Sequence, residues 1–127
     1  MEYGIDQTTH APIAVLWWRG ETRRAELKAC LAELAAVFES WPSPRRIIFD
    51  FSEVQGFDSE LRRVLASWRA TNRVLIQDKV GAAAYVITSR LVRGYLTAVD
   101  WLRPNPGLRK KVFSDRASAV AWLEAQT

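Results

Sequence analysis

Residues 47–65 read IIFDFSEVQGFDSELRRVL and predict a strand, a loop and a helix in succession. The apolar run 47–49 stops at Asp50, which is typical of a short buried strand. The residues that follow are polar and include Gln55-Gly56, a turn signal. From Asp58-Ser59 onward, apolar residues recur at helical spacing, and Asp or Ser is a good helix N-cap. Strands of α/β proteins often lead into functional loops in this way.

The segments on both sides of this stretch alternate between strand and helix patterns. The predicted strands are 1–7, 13–18, 47–51, 81–87 and 110–113. The predicted helices are 21–40, a second from 58 or 59 through 75, a third from 89 to 102, and a last one from 115. The order β-β-α-β-α-β-α-β-α predicts an α/β fold with a mainly parallel sheet of four to five strands and about four helices. The first strand is expected to be an antiparallel edge strand. No repeat or linker divides the chain, so we expect a single domain over residues 1–127.

The composition is typical of a globular protein, with 49% hydrophobic and 25% charged residues. Cys30 is the only cysteine. We expect it to be a core residue, and we expect a cytoplasmic location because no internal disulfide can form. The sequence has neither a secretory signal nor an apolar run of the ~18 residues that a membrane span needs. The net charge of +4 permits an acidic partner but does not require one.

Catalytic and cofactor signatures are missing from the sequence. No Gly-rich loop precedes a helix and no Gly-Lys-Ser/Thr occurs, so a phosphate-binding loop is not expected. His10 is the only histidine, which leaves no material for a zinc site or a Ser-His-Asp triad. Asp50, Glu53 and Asp58 could converge at the carboxyl end of the sheet as an acid–base pair or a cation site. Acids in such loops also serve as caps, and we expect no enzymatic activity, no metal and no cofactor.

The opening stretch resembles the core motif of STAS domains, the fold of the anti-sigma-factor antagonists. In that motif an apolar strand ends in Asp, a short loop carries a Val and a hydrophobic residue, and Asp-Ser precedes a helix. The matching elements here are Ile47–Asp50, Val54, Phe57, Asp58-Ser59 and the helix from Glu60. The segment Val112–Leu123 is similar to the ending of the SpoIIAA-like branch, with a Phe-containing strand and then an Ala-x-x-Trp-Leu-type helix. The resemblance implies a STAS/SpoIIAA-like fold.

The resemblance also implies a function. In the antagonists, a partner kinase phosphorylates the Ser after Asp, and binding to that partner is lost. The chain is therefore expected to be a non-enzymatic regulatory module that binds another protein, such as a kinase or an anti-sigma-type regulator, with Ser59 as the phosphorylation site. The expected partner-binding residues are Val54, Phe57, Asp58, Ser59 and Arg62. The sequence departs from the antagonist pattern at Glu60-Leu61, where a small residue and a Gly are usual. The alternative is that Asp58-Ser59 is only a helix cap.

Three other binding modes are also considered. An apolar small molecule or lipid could occupy a cavity between the sheet and the third helix. Its expected lining is Tyr85, Tyr95, Leu96 and Trp101. A basic face formed by Arg62, Arg69 and Arg73 could contact nucleic acid, but no exposed aromatic residues alternate with these arginines, so this mode ranks last. Trp17 and Trp18 point to opposite faces of a strand, and a homodimer is expected if one of those faces is bare.

Overall fold

Five strands and four helices make up the part of the chain that the structure describes. The structure is a computed structural model and describes residues 1–56, 59–90, 93–94 and 108–126. The strands are β1 (Glu2–Asp6), β2 (Ala14–Glu21), β3 (Arg45–Gly56), β4 (Val80–Val86) and β5 (Arg109–Phe113). The helices are α1 (Arg24–Ser40), α2 (Ser59–Thr71), α3 (Arg73–Lys79) and α4 (Arg116–Glu124). The strand order is β1-β2-β3-β4-β5, with β1 antiparallel to β2 and all other neighbours parallel. The predicted α/β sheet with an antiparallel edge strand is confirmed.

The sheet carries a hydrophobic core on each of its two faces, because successive side chains of a strand point to opposite sides. On the front face, Trp18 and Phe49 are buried in one cluster with the apolar side chains of α1 and α2. On the back face, Ile48 is buried in a second cluster with residues of α4, and the half-buried Trp17 packs against it. The two neighbouring tryptophans therefore lie on opposite faces, as predicted.

Strand β3 is longer than the sequence predicts. The apolar run indicates an end at Phe51, but the strand continues to Gly56 because β2 runs beside it as far as Glu21. In this extension Gly20 pairs with Val54, whose side chain is only 7% exposed. The prediction that Val54 lies in an exposed loop is therefore wrong: a parallel neighbour supplies backbone hydrogen bonds, and a polar stretch of sequence becomes a strand.

The second predicted helix is divided into α2 and α3. Helix α2 ends at Thr71, Asn72 lies between the helices, and α3 begins at Arg73. The Asn72 side-chain amide donates a hydrogen bond of 2.9 Å to the carbonyl of Trp68, one of the last carbonyls of α2. The apolar pattern does not reveal this break, because Leu75 of α3 continues the spacing of α2.

Two other helix predictions also change. Helix α1 begins at Arg24 rather than at Glu21, because Glu21 pairs with Gly56 in the sheet. The predicted third helix lies mostly outside the described residues; its start shows one helical hydrogen bond of 3.1 Å, from the Arg93 N–H to the Ser89 carbonyl. None of the described helices is both long enough and apolar enough to cross a membrane.

Cys30 lies on the buried side of α1, which confirms its predicted place in the core. Burial, helped by the nearby Glu33 carboxylate, raises the pKa of the Cys30 thiol to about 12. We therefore expect the native protein to resist a thiol reagent at about pH 8, since the thiolate is the reactive form. In denaturant, one thiol per chain should react at once. Rapid labelling of the native protein would contradict the buried position.

Candidate partner-binding surface

Ser59 is the first residue of α2 and is exposed. The first turn of a helix carries backbone N–H groups without intrahelical partners, and the helix dipole is positive there. A phosphate on the Ser59 hydroxyl would therefore meet a favourable electrostatic field. Phe57 and Asp58 lie outside the described residues, so the N-cap role of Asp58 and the partner-binding roles of both residues stay predictions.

An ion pair joins the beginnings of α1 and α2. The Arg24 Nη1 donates to the Glu60 Oε1 over 2.8 Å, and both side chains are more than half exposed. Such an exposed pair contributes about 0–1 kcal/mol to stability. Its main consequence is local: Arg24 compensates the charge of Glu60, the residue at which the sequence departs from the antagonist pattern.

A groove of about 580 Å³ runs between α1 and α2 and begins beside this ion pair. It is lined by Arg24, Lys28, Leu31, Ala32, Glu60, Arg63, Val64, Ser67 and Trp68. Leu31 is buried, and Val64 and Trp68 are half-buried, so these three side chains provide an apolar floor. Three of the lining residues are cationic and one is anionic. The surface next to Ser59 is thus an amphipathic, net-positive groove, which the sequence does not indicate because it depends on how two helices pack.

The predicted basic face of the second helix does not form as one exposed surface. Arg62 and Arg69 are half-buried on α2, whereas Arg73 is exposed on α3. Arg69 lies close enough to Tyr85 and Lys110 for its charge to lower the pKa of each, although burial is the larger influence on both groups. Arg62 belongs to the same helix as Ser59, but its partner-binding role stays a prediction.

The ligand pocket predicted around Tyr85 has one described member. Tyr85 is buried on the front face, and its ring stacks on Phe49 at a centroid distance of 5.2 Å and on Phe51 at 6.3 Å. Burial raises the pKa of the Tyr85 hydroxyl. Its ring is therefore packed in the core. The other predicted lining residues are Tyr95, Leu96 and Trp101, and they lie outside the described part of the chain.

Of the three carboxylates predicted to converge, Asp50 and Glu53 lie within the described residues and Asp58 does not. Asp50 is buried, and one of its oxygens accepts hydrogen bonds from the N–H and hydroxyl of Ser52 at 2.9 and 2.6 Å. The other oxygen accepts a hydrogen bond from Arg116 Nε at 2.9 Å and lies 2.8 Å from Arg116 Nη2 in an ion pair. Asp50 therefore attaches the first residue of α4 to β3. No group of three His, Cys, Asp or Glu side chains that could hold a metal occurs among residues 1–56, 59–90, 93–94 and 108–126.

A smaller cleft of about 240 Å³ lies on the back face, beside the ion pair between Asp50 and Arg116. Besides Asp50 and Arg116, it is lined by Trp17 and Arg19. The Arg19 guanidinium lies 4.6 Å from the centroid of the Trp17 ring and forms ion pairs with Glu2 and Glu53 at 3.4 and 3.9 Å. The charged side chains of this cleft are thus largely paired within the protein. The cleft is therefore a weaker candidate for a partner-binding site than the groove between α1 and α2.

The fold and this surface define the class of protein. A parallel α/β sheet with an antiparallel first strand, and with an exposed Ser opening the helix after the Asp-containing strand, is the arrangement that the STAS resemblance implies. The SpoIIAA-like family model matches residues 13–124, and the chain belongs to the SpoIIAA-like family. The fold is one generally used by non-enzymatic regulatory proteins.

A solved structure supports the fold independently. The chain is similar to an uncharacterised protein of the DUF3478 family from Shewanella loihica PV-4, whose crystal structure has a SpoIIAA-like fold. The TM-score is 0.63 at 15% sequence identity, and the match covers 96% of this chain and 92% of that chain. No curated protein matches the sequence. The comparison confirms the predicted fold and carries no information on the partner.

Proposed function

We propose that this chain is a regulatory protein-interaction module whose partner binds at the beginning of α2, and that phosphorylation of Ser59 controls this binding. The observation that carries the proposal is the exposed position of Ser59 in the first turn of α2, next to a groove with an apolar floor and a cationic rim. Phe57 and Asp58 precede Ser59 in the sequence and complete the proposed surface. Val54 contributes from the core, by supporting the end of β3.

The electrostatics of the site explain how a phosphate would act as a switch. A phosphoserine carries a charge of about −1.5 to −2 at neutral pH. At Ser59 the helix dipole would stabilise that charge, so the fold is preserved. The partner, however, would meet a group that is larger and more negative than a hydroxyl. Because Glu60 is already acidic, the added phosphate would concentrate negative charge at this end of α2.

Replacing Ser59 by Asp is expected to lower capture of the native partner by at least ~10-fold, since one misplaced charge at an interface costs more than ~1.4 kcal/mol. The measurement is a quantitative pull-down from the native organism, with wild type and Ser59→Ala for comparison. Ser43→Asp is the matched control, because Ser43 is exposed in the segment before β3, whereas Ser59 follows that strand. The control should capture the partner as well as wild type does.

Two outcomes would contradict the proposal. Phosphosite mapping after incubation with native lysate and ATP should find phosphate on Ser59, and its consistent absence would exclude the switch. Equal capture by wild type and by the triple variant Phe57→Ala/Asp58→Ala/Ser59→Ala would exclude the surface itself. Native mass spectrometry of the same samples would detect a co-purifying apolar ligand or a homodimer, two of the other binding modes that the sequence suggests.

A further inference from the structure

The groove between α1 and α2 has the length of about two helical turns. Its α1 side extends from Arg24 to Ala32 and its α2 side from Glu60 to Trp68, nine residues in each case. At a rise of about 1.5 Å per residue, each wall is about 12 Å long. The Arg24–Glu60 ion pair shows that the beginnings of both helices lie at the same end of the groove.

The rim and the floor of the groove differ in chemistry. Leu31, Val64 and Trp68 form the floor and place apolar surface within reach of a ligand. Lys28 and Arg63 are exposed at the rim, and neither has an ion-pair partner among the described residues. The negative charge of Glu60 is compensated by Arg24. Two uncompensated positive charges therefore border an apolar floor.

We propose that this groove binds an acidic amphipathic helix of the partner protein. Apolar residues of that helix, at i, i+3 or i+4 and i+7, would cover Val64 and Trp68, and its carboxylates would pair with Lys28 and Arg63. In this helix-in-groove mode a helix lays its apolar face on an apolar floor between two walls, and the groove provides such a floor between walls about two turns long. The inference rests on the proposed function, because it names the element by which the partner binds.

Two other occupants fit the groove less well. A second copy that packed groove against groove would bring its own Lys28 and Arg63 against those of the first copy, and like charges at an interface oppose association. An extended peptide strand binds by pairing with a sheet edge, whereas this groove is walled by two helices whose backbone groups are already hydrogen-bonded within each helix. An acidic helix satisfies both the apolar floor and the positive rim.

The inference can be tested by selection from a displayed library of peptides of about 16 residues, a length at which a helix can form on binding. Peptides enriched on the wild-type protein should carry Asp or Glu on one helical face and apolar residues on another. The Lys28→Glu/Arg63→Glu variant should bind the selected peptides at least ~10-fold more weakly, and binding to wild type should weaken as salt rises. Amide NMR shifts should map to α1 and α2.

Arg73→Glu is the matched control, because Arg73 is an exposed residue of α3 that does not line the groove. This variant should bind the selected peptides as wild type does, and thermal unfolding should show that all variants remain folded. Enrichment of peptides without acidic residues, equal binding by the rim variant, or no enrichment at all would overturn the inference.

The two proposals fail separately. If the peptide selection contradicts binding of an acidic helix while Ser59→Asp still lowers capture of the native partner, the proposed function stands. Only the inference about the groove is then rejected. If acidic helices bind the groove but capture of the native partner does not change in Ser59→Asp, the groove stands and the switch is excluded.

Discussion

Replacing Arg116 by Met is expected to lower the free energy of unfolding by about 3 kcal/mol, because the change leaves a buried carboxylate without its cationic partner. The Asp50 side chain is 8% exposed and the Arg116 side chain 41%. Without the guanidinium, one oxygen of Asp50 loses its hydrogen bond from Arg116 Nε and its ion pair with Nη2, while the other oxygen keeps the two hydrogen bonds from Ser52. Methionine retains most of the aliphatic volume of arginine, so the effect reports mainly the lost charge and hydrogen bonds.

A second substitution separates charge from packing. Asp50→Asn removes the buried charge but keeps an oxygen that can accept from Ser52. The double variant Asp50→Asn/Arg116→Met should therefore be more stable than Arg116→Met alone, since the unpaired charge is gone. Urea unfolding measures the stability of both variants, and the two values can be compared directly if the dependence of the unfolding free energy on urea concentration is unchanged. If the double variant is no more stable than the single one, an unpaired buried charge is not the cause.

The exposed ion pair between Arg24 and Glu60 is the matched control for this experiment. Its distance of 2.8 Å equals that between Arg116 and Asp50, but its side chains are 56% and 57% exposed. Arg24→Met should therefore cost no more than about 1 kcal/mol. If Arg24→Met lowered the stability as much as Arg116→Met does, burial would not decide the cost of losing an ion pair. That result would contradict the explanation given for the Asp50–Arg116 pair.

The parts of the fold that the sequence predicts correctly are those in which local pattern and tertiary structure agree. The apolar run around Ile48 is a strand because its side chains are buried on both faces of the sheet. The helical spacing of Leu27, Leu31 and Leu34 predicts the buried side of α1. The pattern fails at Val54, where the neighbouring strand β2 extends a polar segment, since the backbone of a distant segment supplies the hydrogen bonds.

The candidate site shows the same division. The resemblance singles out Ser59, and the structure has this residue exposed at the start of a helix. The groove beside it could not be predicted, because Lys28 and Arg63 belong to different helices and only the packing of α1 on α2 brings them to one rim. A partial signal does exist: Lys28 follows Arg24 by four residues, so both lie on one side of α1. Nothing in the sequence shows which element that side faces.

Replacing Trp18 by Ala is expected to cost about 3–5 kcal/mol, the range for a large aromatic residue removed from a packed core. Trp18 is 1% exposed, and its ring meets the Phe51 ring edge-on at a centroid distance of 4.5 Å. The resulting cavity would lie in the front-face core beside Phe51, where the surrounding side chains are also buried. A loss of this size is a large fraction of the stability of a domain of this length, so the variant should be at or near the threshold for folding.

The neighbouring Trp17 is the matched control for this substitution, because it is the same residue type on the same strand but points to the back face. Its ring is half-buried and lies against the guanidinium of Arg19. Because Trp17 is only half-buried against the back-face core and its cation–π contact contributes about 0.5–1 kcal/mol, Trp17→Ala should cost less than Trp18→Ala. Urea unfolding of both variants measures the difference, and Trp18→Phe provides a milder change if Trp18→Ala does not fold. Equal losses of unfolding free energy in Trp17→Ala and Trp18→Ala would contradict the assignment of Trp18 to a buried position on the front face and of Trp17 to a half-buried position on the back face.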